Sequence, residues 1–357
     1  MKVQLKKIFI VLLEIAFIIC AVLFTNKLFM PKYVSENQDG RIAEEFYDEK
    51  LPLDVVFVGP STIYNAVSPV WLWEQYGFTS YVRGNASQTM WQSYYMVADA
   101  IQYNKPKVVV VDVTFIRHAD DFVEEPSNRK ALDGMKLSKV KLDAIKDSKA
   151  EVEKTGDYLF PLFRFHSRWN ELSMEDLIWC FKDDPVTYNG HLMQFGTSPT
   201  AFGFTGYDAR EEYMLGDKSV AYLRKLIELC QDNDITVILM KTPAGTPNWA
   251  LQYDAQIMTV ASEYNVGYVN FDMLADEMGL NYKAHSPDEG RHLNTVGAEI
   301  FTNYLGQILK TSCSTLIDHK WDAHYTDVWN EKVSRYEYDK AVGMVEYAAE
   351  LEKIRKE

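Results

Sequence analysis

The sequence predicts an α/β protein: a three-layer α/β/α sandwich on a five-stranded, mostly parallel sheet, with an apolar helix ahead of it. Three observations predict it. Short apolar runs end in glycine or aspartate, as at 54–59 and 107–112. Helical stretches of ten or more residues separate them. A 17-residue run from Ile8 to Phe24, apolar except for Glu14, follows Lys2, Lys6 and Lys7.

The N-terminal run is at the short edge for a membrane span, and Leu28-Phe29-Met30 can extend it. Lysines before it favour a cytoplasmic N-terminus. No A-x-A cleavage site follows, and Ile19 stands where a lipoprotein site before Cys20 needs a small residue. The expectation is an uncleaved signal anchor over residues 1–30. Glu14 inside it is costly unless protonated, snorkelling or paired with a partner's helix.

Residues 31–50 are polar and read as a stalk. Asp54–Gly59 then suits a buried parallel strand. Ser68 and Pro69 supply a cap and a first turn for a helix over Val70–Tyr76. A short strand at Ser80–Arg83 and a helix at Thr89–Tyr103 follow. Lys107–Asp112, with four consecutive valines, is apolar on both faces and belongs mid-sheet. Residues 115–215 mix a charged helical stretch (Arg129–Lys154) with aromatic, glycine-rich pieces, Tyr188–His191 and Phe202–Tyr207. They read as an insertion covering one end of the sheet. Alternation resumes with a helix at Asp217–Asp232, a strand at Ile235–Met240, a helix at Trp249–Tyr264, a strand at Gly267–Phe271 and a helix at Thr295–Leu309. The main domain is therefore expected over 51–311, with a polar helical tail, 312–357, on its surface.

Composition excludes some functions. A net charge of -14 offers no basic face for phosphates, so no nucleic-acid partner is expected. Cys20, Cys180, Cys230 and Cys313 are far apart and lack metal-ligand spacing, so they read as unpaired. His118, His191, His319 and His324 show none either. There is no phosphate loop or dinucleotide turn, so neither cofactor nor metal is expected.

Chemistry was sought at the carboxyl ends of the strands, where open α/β sheets bind ligands. The first strand delivers Gly59-Pro60-Ser61-Thr62. A serine at such a turn can attack a carbonyl, or it can simply cap a helix. Near the C-terminus stands Ser286-Pro-Asp-Glu-Gly-Arg-His-Leu-Asn-Thr-Val-Gly-Ala298. A serine nucleophile needs a base, and the base needs an orienting group. His292 with Asp288 or Glu289 upstream fits those roles; alone, His292 is equally an exposed loop histidine.

Together these two elements resemble the SGNH/GDSL hydrolase family, and more narrowly its membrane-anchored bacterial branch, over residues 53–310. That branch includes the D-alanyl-lipoteichoic acid transfer protein and partners of polysaccharide O-acetylation. The resemblance implies a flavodoxin-like sheet and a serine esterase or acyltransferase with Ser61 as nucleophile and His292 as base. Asp288 or Glu289 would orient the ring. It also implies an oxyanion hole from the Ser61 N–H, Gly84 or Ser87, and Asn85; no G-x-N-D follows the third strand. His166 and Arg168 could bind an anionic or sugar substrate, and Lys241 and Trp249 could line the pocket. A basic patch of Arg83, Arg164 and Arg168 would suit a polyanion. The implied partners are a cell-envelope polymer (teichoic acid or polysaccharide) or acylated carbohydrate, and a membrane-bound O-acyltransferase. The rival expectation is a catalytically weak binding or scaffold protein on the same fold.

Overall fold

Five parallel strands carry the molecule: β1 (Val55–Gly59), β2 (Ser80–Gly84), β3 (Val108–Asp112), β4 (Thr236–Lys241) and β5 (Gly267–Asn270). Their order is β2-β1-β3-β4-β5. The computed structural model describes residues 2–182, 184–198, 213–245 and 249–354. The Phe202–Tyr207 piece lies outside the described residues. The chain runs outward from β1 to β2, then returns to place β3 on the other side of β1. Such a reversal opens a crevice at the carboxyl ends of β1 and β3.

Each strand matches its predicted run to within two residues, because the apolar pattern sets the register. Val55–Val58 pair residue by residue with Val108–Val111, all fully buried. Each such side chain stabilises the fold by about 1.5–3 kcal/mol. The principal helices are α1 (Lys2–Phe29), α2 (Ser61–Ala66), α3 (Pro69–Tyr76), α4 (Met90–Tyr103), α5 (Asp217–Gln231), α6 (Leu251–Glu263), α7 (Thr295–Ser312) and α8 (Ala323–Ile354). Of these, α2 to α7 cover both sides of the sheet. On one side α4 packs against α5; on the other α2 and α3 pack against α7.

Local signals fix the ends of these helices. Ser68 Oγ accepts from Trp71 N at 3.2 Å and Pro69 occupies the first turn, so α3 starts where the sequence says. Thr89 and Gln92 close a capping box on α4. Asn294 Oδ1 accepts from Gly297 N at 3.0 Å and starts α7.

Edge strand β2 is covered by the insertion. Val82 N donates to Asn189 O at 2.9 Å, and Asn189 Nδ2 donates to Ser80 O at 3.1 Å. Gly190 has φ of 86°, and a Cβ there would overlap the Val82 carbonyl. The same stretch crosses the mouth of the sheet: Leu192 N donates to Tyr64 O, and Thr295 N to Gln194 O. Before it, residues 125–179 carry short helices, among them Glu125–Asp133, Lys139–Ser148, Pro161–Phe165 and Met174–Trp179. From Ala323 to Ile354 the tail is a single helix of 32 residues, α8. It packs Trp329 on Trp73 with ring centroids 5.1 Å apart.

Candidate active site

β1 ends at Gly59 with φ of 155°, a backbone that disfavours any side chain. A Cβ there would also lie 2.6 Å from the Cβ of Asp112. The chain then turns through Pro60, and Ser61 becomes the first residue of α2. Ser61 therefore does not cap the helix; Pro60 holds that position, with no side-chain cap bond. The Ser61 hydroxyl meets the imidazole of His292 instead, Oγ to Nε2 at 2.7 Å.

His292 Nδ1 lies 2.6 Å from Asp288 Oδ2. A carboxylate accepts only, so Nδ1 carries the proton and Nε2 presents its lone pair to the Ser61 hydroxyl. Asp288 is held in turn. Its Oδ1 accepts from His292 N at 2.9 Å and from Ser286 Oγ at 3.1 Å. The Ser286 oxygen accepts from Gly290 N at 2.8 Å, which tightens the loop under the carboxylate. Burial alone would raise the Asp288 carboxyl, but the bonds from His292 and Ser286 outweigh it, and its pKa sits below the ordinary value. Because the folded pKa is depressed, this stabilisation is present above about pH 4, the unfolded value. It is lost as pH falls through the lower folded value.

Glu289, the alternative orienting group, is turned away. Its φ is 64°, and its carboxylate lies 3.7 Å from the Arg291 guanidinium. The tight turn from Ser286 to Gly290 sends these neighbouring side chains in different directions, and only Asp288 faces the ring.

Sequence reasoning missed the group beneath Ser61. Asp112, at the end of β3, is buried and accepts from Thr62 Oγ1 at 2.5 Å and Thr242 Oγ1 at 2.7 Å. Its other oxygen accepts from Thr114 N at 2.9 Å and Thr114 Oγ1 at 2.5 Å. It thus ties the Ser61 turn to the loops after β3 and β4. The signal was available: a carboxylate ending a strand apolar on both faces must face polar donors. Asn65 adds a second tie, donating to Ser61 O at 2.9 Å and accepting from Gln194 Nε2 at 2.8 Å.

The expected oxyanion donors are only partly in place. Ser61 lies in the first turn of α2, where backbone N–H groups have no intrahelical acceptor. Gly84 stands opposite Gly59 in the register, close enough that a Cβ would lie 3.1 Å from Gly59 O. Asn85 is a correction: its Nδ2 donates to Ser127 O at 2.6 Å and Ala86 O at 3.0 Å, and its N to Gly59 O at 3.2 Å. The turn after β2 draws that amide inward, onto the insertion. Ser87, at φ of 52°, makes no hydrogen bond to Ser61 or His292 among the described residues.

The expected substrate-binding residues all have partners within the chain. His166 Nδ1 contacts Phe163 O at 3.0 Å, and Arg168 donates to Phe29 O at 2.8 Å and Asp176 at 3.2 Å. Both belong to the junction with α1. Lys241 is fully buried and ion-paired with Asp272, and Trp249 is buried with its indole N–H on Asp254 at 2.9 Å. A side chain this buried needs its polar atom paired, so Lys241 is committed to the Asp272 carboxylate. This pair braces the base loop. Asp272 accepts from Ala244 N at 2.6 Å, and Gly245 N donates to Gly290 O at 2.7 Å. Nor do the three arginines form a patch: Arg83 is buried against Asp99 at 2.6 Å, and Arg164 pairs with Glu125 at 3.2 Å.

No protein-family model and no curated protein matches the chain. Crystal structures are among those similar to it, and two serve as examples. One is of a protein from Bacteroides fragilis inferred to be an acylhydrolase, at 14% identity and a TM-score of 0.38, covering 75% of this chain and 94% of that one. The other is a GDSL-like lipase from Bacteroides thetaiotaomicron, at 16% identity and a TM-score of 0.35, covering 77% and 98%.

Proposed function

We propose that the chain is a membrane-anchored, extracytoplasmic serine esterase or acyltransferase of the SGNH/GDSL type. Its substrates would be O-acyl groups of a cell-envelope polymer. One observation carries the reading: hydroxyl, imidazole and carboxylate lie in hydrogen-bonded series at 2.7 and 2.6 Å, at the reversal point of the sheet. Ser61 Oγ attacks the ester carbonyl while His292 Nε2 takes its proton. The same proton passes to the departing alkoxide as the C–O bond breaks, leaving an acyl-serine. A hydroxyl of water or carbohydrate then attacks the acyl carbon and gives its proton to Nε2; the acyl–Oγ bond breaks and Nε2 returns that proton to Oγ, regenerating the serine. Asp288 stabilises the imidazolium throughout and is not itself protonated.

The anchor reading follows from α1, whose segment Gln4–Phe29 is long and apolar enough to cross a membrane, with lysines before it. The arginines that could have met a polyanion are committed inside the fold or at the α1 junction. That supports a neutral acylated carbohydrate over teichoic acid.

Purified full-length protein should release p-nitrophenol from p-nitrophenyl acetate, and Ser61→Ala should lose about 10³-fold or more of that rate. Adding a polyol or oligosaccharide should yield its acetyl ester if transfer is the function; free acetate alone would leave hydrolysis. The committed Asn85 amide favours a second reading, a weakly catalytic binding protein assisting a membrane O-acyltransferase. That reading predicts no difference between wild type and Ser61→Ala.

A further inference from the structure

We infer that residues 160–182 form a collar lying in the outer surface of the bilayer that holds α1, so that lipid is the partner of its exposed apolar face. The inference rests on reading α1 as a membrane span. The collar is built inside out. In the helix Met174–Trp179 the buried residue is Asp176, which receives bonds from Ser173 and Arg168. Met174 and Ile178 are outside, 69% and 55% exposed. In Pro161–Phe165 only Pro161 is buried, and Phe163 is 61% exposed; Trp169 and Phe181 are 72% and 79% exposed. A helix facing water on that side would show the reverse pattern. Apolar faces with tryptophan among them are the mark of interfacial segments.

Continuity with α1 says what covers this face. Arg168 donates to Phe29 O at 2.8 Å, closing the last turn of α1, and Leu162 N donates to Asn26 Oδ1 at 3.2 Å. Phe181 packs beside Phe24, the rings tilted by 42° with centroids 6.1 Å apart. The hydrocarbon core spans about 20 helical residues. Counted from Ile8, just past Lys7, the far boundary falls near Lys27. Phe24 is then inside the hydrocarbon, and Phe181 beside it is at the same depth. Asn26, Lys27 and the collar's backbone contacts lie at headgroup level.

The test is depth-dependent quenching on the full-length chain. The native cysteines are replaced (Cys20→Ala, Cys180→Ala, Cys230→Ala, Cys313→Ala), and an environment-sensitive dye is placed singly by Leu13→Cys, Phe24→Cys, Phe163→Cys, Ile178→Cys, Phe181→Cys or Val345→Cys. Each variant is reconstituted in phosphatidylcholine vesicles, and its fold is checked by circular dichroism. Lipid carrying a doxyl quencher high on the acyl chain should quench the dye at 163, 178 and 181 as strongly as at 24. Aqueous iodide should quench only at 345. Iodide quenching at the collar positions would overturn the inference, placing that face in water. Quenching there by neither agent would also overturn it, because a second copy of the chain would then cover the face. If Leu13 itself escapes the lipid quencher, the anchor reading fails and the collar proposal falls with it. Quenching at 13 and 24 but not at the collar rejects the collar alone.

Discussion

Asp288→Asn is expected to slow ester turnover by about 10⁴-fold while leaving the protein folded. The amide keeps the shape of the carboxylate but can present an N–H to Nδ1. The ring then flips tautomer, places its proton on Nε2, and loses the lone pair that activates the Ser61 hydroxyl. Asp288 is part exposed, so the change leaves no deeply buried orphan, and the urea midpoint should move little. Glu289→Gln is the control. Its carboxylate faces Arg291, and turnover should stay within about twofold of wild type, as for other exposed surface changes. A reversed order of the two variants in steady-state kinetics would assign the orienting role to Glu289.

Asp112→Ala should lower stability by about 3 kcal/mol or more, because it leaves the hydroxyls of Thr62, Thr114 and Thr242 without their acceptor in a buried site. It should also lower turnover, since Thr62 is the residue next to the nucleophile and its tether fixes the Ser61 turn. Asp112→Asn keeps the side chain's shape and part of its accepting capacity, so it should recover much of the stability. Urea denaturation followed by circular dichroism reads the first effect and kcat the second. A loss below about 1 kcal/mol in Asp112→Ala would mean the three threonines find other acceptors and the carboxylate is no buttress.

The sheet was legible because burial on both faces writes a continuous apolar run, and the four valines of β3 allow little else. Helix ends were legible at Ser68 and Asn294, where a side chain closes them. The insertion was not, since its described helices are short and, near α1, carry apolar side chains outward and a carboxylate inward. The tail was read as helical, but its scattered aromatics did not show that Trp329 would stack on Trp73 along one unbroken helix. In the site, the serine and histidine stood out because each occupies a turn next to a helix start. Asp288 and Glu289 could not be separated by spacing; the positive φ at Glu289 decides between them, and no residue type announces it. Lys241, His166 and Arg168 looked like ligand-binding groups because sequence gives charge without depth or partner. Burial and the end of α1 claim them instead.

The central claim is that Ser61 is the one hydroxyl activated by His292. Full-length protein should be treated with a fluorophosphonate probe, digested, and the modified peptide identified by mass spectrometry. The account predicts a single phosphonylated residue, Ser61, with labelling abolished in Ser61→Ala and strongly slowed in His292→Ala. Labelling of Ser61→Ala at the wild-type rate, or modification mapped to another residue, would contradict it.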